Sequence, residues 1–520
     1  MQFNDKNRQV VPRLRTFKIT AALGELGGES RQQRLSADHQ RALAKSLRDW
    51  NEDNTIWTAA EAISAAFILG VDCNRPAIEF LLRSGRDCPS VLRAFAEGIS
   101  KGTPDQPCEE EDPTDNATLG FRISQIRHRL DDEPRNAIQW IELARLYLLL
   151  GQRRSALRAV TAAGSGTTNN RFILRSAARI FLHLREGDRA VTLLRNSPTS
   201  RTDPWVIAAE IATSLALGMP SLRAMIGRKK CEDNSFSEFD RTELASALGT
   251  AEMFSGNMRH ARRLFRQSLG NPNENSMAQA EWASRQIGDI GLERVRQDSI
   301  QMLYEAPARA RANQGDWQSA MTHGAKWLHD QYFSKQPALF LSYIATIAEK
   351  YDDCINITRQ CLKLNPGDPV LINNLCFALG RTGKTKIADE TMKDLVGAER
   401  PIRNRIAQTA TLGLIRFRQG AFADGRRMYH DAIAMALMVP NGKQLYIMAN
   451  LNLAREELFA HGPGAIALAR EALDAVPGNA TPDVKEVALQ LEQDLKIYND
   501  DRSGLLGLQA EFKRQGEMGF

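Results

Sequence analysis

Between Asn136 and Thr168 the apolar residues include a set at Trp140, Leu143, Ala144 and Tyr147. That i, i+3, i+4, i+7 spacing lines one face of a helix. After Gly151 comes a second helical run, Ala156, Val160 and Ala163. Glycine ends a helix by taking up the left-handed conformation at low cost, so the stretch predicts two antiparallel helices joined by a tight turn. The pattern is periodic. Ala156 and Ala190, and then Ala320, Cys354 and Ala388, recur at spacings of 34. A glycine stands five residues ahead of the small residue in Gly151–Ala156, Gly256–Ala261, Gly315–Ala320, Gly383–Ala388 and Gly420–Gly425. A small residue at a fixed period marks a recurring point of close approach between helices.

The flanks carry other signals. Ser36 is placed to cap a helix running through Trp50, and helical segments follow near 55–69, 75–84 and 88–99. From Thr103 to Asn116 the run TPDQPCEEEDPTDN, with its prolines and acids, predicts a solvated linker. TPDVKEVALQLEQDLKIYNDD predicts a charged-faced capping helix, and the tail after Ser503 a further short helix. The boundaries are therefore a helical N-terminal module over 1–102, a linker over 103–117, a repeat superhelix over 118–478 and a capping helix with tail over 479–520.

The unit Trp140-x2-Leu143-Ala144-x2-Tyr147, then Gly151, Ala156, Val160 and Ala163, resembles the tetratricopeptide repeat. Leu248-Gly249 ahead of Gly256, Ala261 and Phe265 is similar, as are Leu412-Gly413 ahead of Gly420, Tyr429 and Ala432. LKLNPGDP and AIALAREALDAVPG carry the terminating proline at Pro366 and Pro477. The resemblance spans roughly 134–478, about nine units, and implies an all-α superhelix of stacked hairpins. The units near 202–228 and 275–300 match poorly; the first has Ser221 in place of alanine, and the second reads as an extra helix pair. In such an array Trp140, Tyr147, Phe265 and Tyr429 are packing residues.

Composition narrows the function classes. A charged fraction of 25% fits neither a collagen-like nor a membrane-embedded chain. The longest apolar stretch, near Ile63–Val71, is far short of the roughly 20 residues that span a bilayer, and the charged start lacks a signal-peptide h-region, so a cytoplasmic protein is expected. A net charge of +6 is a weak bias over 520 residues. The seven cysteines are scattered without a CxxC, which predicts buried, reduced thiols and no structural zinc. Gly380-Arg381-Thr382-Gly383-Lys384-Thr385 imitates a phosphate loop, but Ala378 stands where the pattern needs glycine. The eight histidines form no metal-binding motif. Neither a cofactor, a metal nor a catalytic set is indicated. Arg228-Lys229-Lys230, read as a loop, and Arg259, Arg262, Arg263 and Arg266, read as an outward helix face, form the basic clusters.

The resemblance implies a non-enzymatic scaffold or adaptor, with the first helix of each hairpin lining a concave groove. Its groove positions are Arg145, Arg175, Arg179, His183, Arg309, Asn373, Arg381, Arg418 and Asn450, with Glu210 and Glu305 as acidic exceptions. Arginine offers a planar fork of donors to carboxylates. The implied partner is another protein, through an acidic segment or a free carboxylate terminus. A regulatory or sensing subunit of a partner enzyme, as in bacterial stress or defence, is the alternative, and a nucleic-acid-binding solenoid the second.

Overall fold

In a computed structural model, all five glycines of the periodic pattern have positive φ: Gly151 (71°), Gly256 (82°), Gly315 (78°), Gly383 (76°) and Gly420 (82°). Each ends the first helix of a hairpin. The small residues five positions on, Ala156, Ala261, Ala320 and Ala388, are fully buried, as is Cys354. The structure describes residues 37–68, 74–84, 88, 90–100, 116–166, 170–233, 236–295, 297, 300, 303–331, 334–393, 395 and 401–517. Ser36 and the segment 103–115 lie outside these.

The chain divides into two units, near Thr118. The first holds α1 (Ala37–Glu52), α2 (Ile56–Ile68), α3 (Arg75–Arg83) and α4 (Ser90–Ser100). Asn74 caps α3 by accepting from the Ala77 N–H, and Trp50, Ile63, Ile78 and Leu81 form a core of the unit's own. Trp50 and Phe80 meet edge to face at 5.2 Å.

The second unit is an α-solenoid of tetratricopeptide-like hairpins. Helix α5 (Asn116–Asp132) leads into α6/α7 (Ala137–Leu149, Arg153–Gly166), α8/α9 (Arg171–His183, Gly187–Asn196), α10/α11 (Pro204–Ala216, Ala224–Glu232) and α12/α13 (Glu238–Phe254, Met258–Ser268). After the single helix α14 (Glu274–Ile287) come α15/α16 (Glu305–Gln314, Trp317–Asp330), α17/α18 (Lys335–Ile347, Tyr351–Leu364) and α19/α20 (Pro369–Arg381, Thr385–Lys393). The array finishes with α21/α22 (Ile402–Arg418, Phe422–Leu437), α23/α24 (Lys443–Phe459, Ala465–Asp474) and the long α25 (Pro482–Glu517). Among the described residues there is no strand, and none of their helices is long and apolar enough to cross a membrane.

Asn136, Asn170, Asp203, Ser237 and Asp368 cap first helices of hairpins, and Asn273 caps the single helix α14; each accepts from a backbone N–H in the first turn. The aromatic positions pack as the repeat requires. Phe265 and Tyr429 are fully buried, and Trp140 and Tyr147 lie against the core of α5–α10. At α21/α22 the approach is closest. A Cβ on Gly425 would sit 2.5 Å from the Phe417 ring and 3.1 Å from the Gly413 carbonyl oxygen.

Several expectations are corrected. The 275–300 segment holds one helix, α14, followed by a single 3-10 turn at Leu292–Arg294, not an extra helix pair. The tail after Ser503 is not a separate helix but continues α25. Arg228, Lys229 and Lys230 lie in α11, not in a loop; Arg228 pairs with Glu252 at 2.7 Å and Lys230 with Asp233 at 3.1 Å. Arg262 is not a bare outward residue either, because its Nε donates to the Ile287 carbonyl at 2.6 Å. Ser221, at the poor position of the third hairpin, donates its hydroxyl to Glu210, which also accepts from Arg195. The close approach in this hairpin falls instead at Gly227, where an added Cβ would lie 3.1 Å from Ile211 and 3.2 Å from Leu244.

Candidate functional site

The array returns on itself at two places. Helix α8 reaches the start of α17, where Arg179 donates to the Ser334 hydroxyl at 2.9 Å across 155 residues. Near it, the first hairpin turn abuts the end of α18: a Cβ on Gly151 would lie 3.0 Å from the Lys363 carbonyl oxygen, and Leu364 belongs to the core of α5–α10. Helix α25, in turn, folds onto α16 and α17 through Trp317–Glu486, Tyr343–Asp483 and Gln490–Ile347.

The first return encloses a cavity of about 800 Å³. Its lining contains five cationic side chains, Arg153, Arg179, Arg185, Arg309 and Lys335, against the two carboxylates of Glu305 and Asp368. Three of the expected groove residues therefore converge: Arg179, His183 and Arg309. Burial pushes the Arg179 guanidinium down to about 10. His183 is pushed to about 3, first by burial and then by the charges of Arg179, Arg153 and Lys335. The imidazole is thus neutral near pH 7 and registers a positive field. Arg309 bonds Glu305 at 2.9 Å and stacks over the Trp327 ring at 5.2 Å. Lys335 faces Asp368 at 3.6 Å, and Arg153 donates to the His183 carbonyl at 3.3 Å.

Arg185 stands out at the rim. It sits five residues ahead of Ala190, where other hairpins carry glycine, and has φ 66°. Its side chain is exposed. A left-handed non-glycine residue costs roughly 1–2 kcal/mol, so the cationic side chain stands where backbone stability favours glycine. Glu349, five residues ahead of Cys354, repeats this with φ 55°.

The remaining groove residues are placed elsewhere. Arg145 is buried and pairs with Glu142 on its own helix at 2.6 Å. Arg175 pairs with Glu243 and lies over the Trp205 ring at 4.7 Å. Arg381 and Arg418 converge on Glu456, at 2.9 and 2.6 Å, and Arg381 also reaches Tyr351. Asn450 donates to the Tyr446 carbonyl within α23. Asn373 lines a second, smaller cavity. Groove arginines are therefore answered largely by the chain's own glutamates, and the acids facing them extend beyond Glu210 and Glu305. Sequence reasoning missed Arg153, Arg185 and Lys335. Arg185 was open to detection as the one charged residue at a glycine position next to a groove histidine.

The cysteine thiols described are buried: Cys88, Cys231, Cys354, Cys361 and Cys376. Burial raises Cys231 to about 11 and Cys354 and Cys361 to about 12, which leaves them unreactive.

No family model matches the sequence, and no curated protein does. Solved structures that match the chain include yeast Tom70, at 12% identity over 89% of this chain and 96% of that one, with a TM-score of 0.31. The APC/C hetero-tetramer Cut9-Hcn1 gives 12% identity over 87% of this chain and 93% of that one, with a TM-score of 0.35. The human IFIT1 dimer with m7Gppp-AAAA gives 15% identity over 76% of this chain and 96% of that one, with a TM-score of 0.38. With TM-scores below 0.5, none of the three bears on what this chain binds.

Proposed function

We propose that the protein is a non-enzymatic scaffold or adaptor that captures an acidic segment, or a free carboxylate terminus, of a partner protein in the cavity between α8 and α17. The supporting observation is the excess of cationic side chains there, five against two carboxylates, around a histidine whose basicity is lowered first by burial and then by the charges of Arg179, Arg153 and Lys335. The volume of about 800 Å³ lies within the range of ligand pockets and has room for several side chains. A partly desolvated site strengthens charge-assisted hydrogen bonds to carboxylates.

A nucleic-acid ligand fits less well. Single-stranded binders stack bases on open aromatic faces. The aromatic residue in this lining is Trp327, which is 1% exposed and covered by Arg309.

The test uses the full-length chain and an immobilised Asp/Glu-rich peptide with a free C-terminal carboxylate. Arg185→Glu with Lys335→Glu changes two partly or fully exposed residues, so the fold should hold. Capture should fall at least tenfold while the melting temperature stays within about 2 °C. Unchanged capture, or binding that nuclease treatment of the preparation removes, overturns the proposal. Reversing Arg175 and Arg179 instead would bury uncompensated acids and confuse binding with folding.

A further inference from the structure

The second helices of the hairpins divide by charge. Those of the first four hairpins, α7, α9, α11 and α13, carry twelve Arg and Lys against two acids, Asp188 and Glu232. Those of the last five, α16, α18, α20, α22 and α24, carry eight against nine. The surplus of positive charge therefore belongs to one stretch of the array. Eight of the twelve cations are exposed. Three of these meet carboxylates: Arg189 with Glu186 at 3.3 Å, Arg228 with Glu252 at 2.7 Å and Arg263 with Glu232 at 3.6 Å. The other five, Arg154, Arg158, Lys229, Arg259 and Arg266, pair with no carboxylate among the described residues. Arg158 and Arg266 reach only neutral oxygens, the Ser155 hydroxyl at 3.5 Å and the Asp289 carbonyl at 3.3 Å.

The four helices make one continuous face. Arg189 of α9 donates to the Thr161 hydroxyl of α7 at 3.5 Å. Arg223, at the start of α11, donates to the Arg195 carbonyl of α9 at 3.0 Å, and Arg263 of α13 reaches Glu232 of α11. Packed helices lie roughly 10 Å apart, so α7 to α13 spans roughly 30 Å. What this face lacks decides the partner. Its one Phe, Tyr or Trp, Phe265, is fully buried, and its exposed large apolar residues are Met225 and Met258, each in a first turn. Single-stranded nucleic acid needs rings to stack on. A protein partner needs an apolar centre, and a membrane-binding helix needs an apolar face to insert. Duplex phosphates need only clustered, rigidly placed cations. We infer that the face formed by α7, α9, α11 and α13 binds the phosphate backbone of double-stranded nucleic acid without reading its sequence. At about 3.4 Å per base pair, the face covers roughly nine base pairs. This surface is separate from the cationic cavity and independent of the function proposed for it.

The test is fluorescence anisotropy of the full-length chain with labelled duplexes of about 20 base pairs, one DNA and one RNA, each in two unrelated sequences. Binding should be saturable in 50 mM salt and indifferent to sequence. It should weaken at least roughly a hundredfold in 200 mM salt, as expected for four or more phosphate contacts. Arg154→Glu with Arg259→Glu alters the two ends of the face at exposed residues without a carboxylate partner, so the fold should hold. This variant should bind at least roughly tenfold more weakly, the loss of two phosphate contacts. Arg359→Glu with Lys386→Glu changes the net charge equally, on exposed positions of α18 and α20, and should bind as wild type does. No duplex binding in 50 mM salt, or equal loss in the two variants, overturns the inference. So does tighter binding of the single strands, of poly-aspartate or of phosphatidylserine vesicles than of either duplex. Should the first variant fail to fold, Lys229→Ala with Arg266→Ala takes its place, with the same weakening expected and unchanged binding overturning the inference.

Discussion

Trp317 donates its indole N–H to Glu486 at 2.8 Å, across 169 residues of sequence. The first residue of α16 thereby holds the first turns of α25, and Tyr343–Asp483 and Gln490–Ile347 secure the same helix to α17. Removing the donor while keeping an aromatic ring isolates this contact. Trp317→Phe should lower stability by about 2 kcal/mol, the scale of a hydrogen bond to a charged acceptor. Glu486→Gln, which keeps an acceptor, should cost less. Urea midpoints of the two variants check the order, and equal midpoints would show that the bond is idle.

At α21/α22 two glycines allow the helices to touch. Gly425→Ala should destabilise by roughly 1–3 kcal/mol, because the added methyl meets the Phe417 ring at 2.5 Å. Phe417 is 1% exposed and has nowhere to go. Ala156→Leu and Ala388→Leu act through the same overpacking, as both alanines are fully buried. Thermal melts that match wild type in all three would refute the assigned hairpin phase.

His183 predicts a pH dependence. Its pKa is about 3 in the folded chain and 6.5 when unperturbed. Between these values the unfolded state binds the proton and the folded state does not, so stability is complete above about pH 6.5 and falls as pH drops towards 3. His183→Gln should flatten this acid limb without altering the melting temperature trend above pH 7. A pH–melting curve of unchanged slope would contradict the placement of the imidazole. Bound carboxylates would favour the imidazolium, so the acidic peptide should bind with net proton uptake.

Arg185 predicts a conflict between folding and binding. Arg185→Gly relieves a left-handed backbone and should leave the melting temperature equal or higher, while capture of the acidic peptide weakens. A variant that loses both, or neither, would show that the side chain is not held there for the cavity.

Local signals carried the hairpins and long-range closure did not. Gly151 and Ala156 announce a turn and a close approach because each acts within its own hairpin, and their left-handed and buried states follow from short-range sterics. Glu456 is the counter-example. Its pairing with Arg381 is separated by 75 residues and with Arg418 by 38, so it depends on superhelical curvature, which no single unit encodes. The cationic cavity was half visible: Arg179, His183 and Arg309 follow from repeat phase, but Lys335 enters only because α17 comes back to α8. Arg262 was misread because its acceptor, the Ile287 carbonyl, terminates a helix that lacks the usual partner.

An open solenoid can gain or lose a unit by duplication or deletion, since each unit touches only its neighbours. The closure of α25 onto α17 removes that freedom. Four hairpins, α17/α18 to α23/α24, lie in the loop that Tyr343–Asp483 and Gln490–Ile347 complete. Inserting or excising one would carry Asp483 a full helical layer away from Tyr343. The copy number of this segment is therefore fixed by geometry, as links are in a clasped bracelet, whereas a chain with free ends could be lengthened at will.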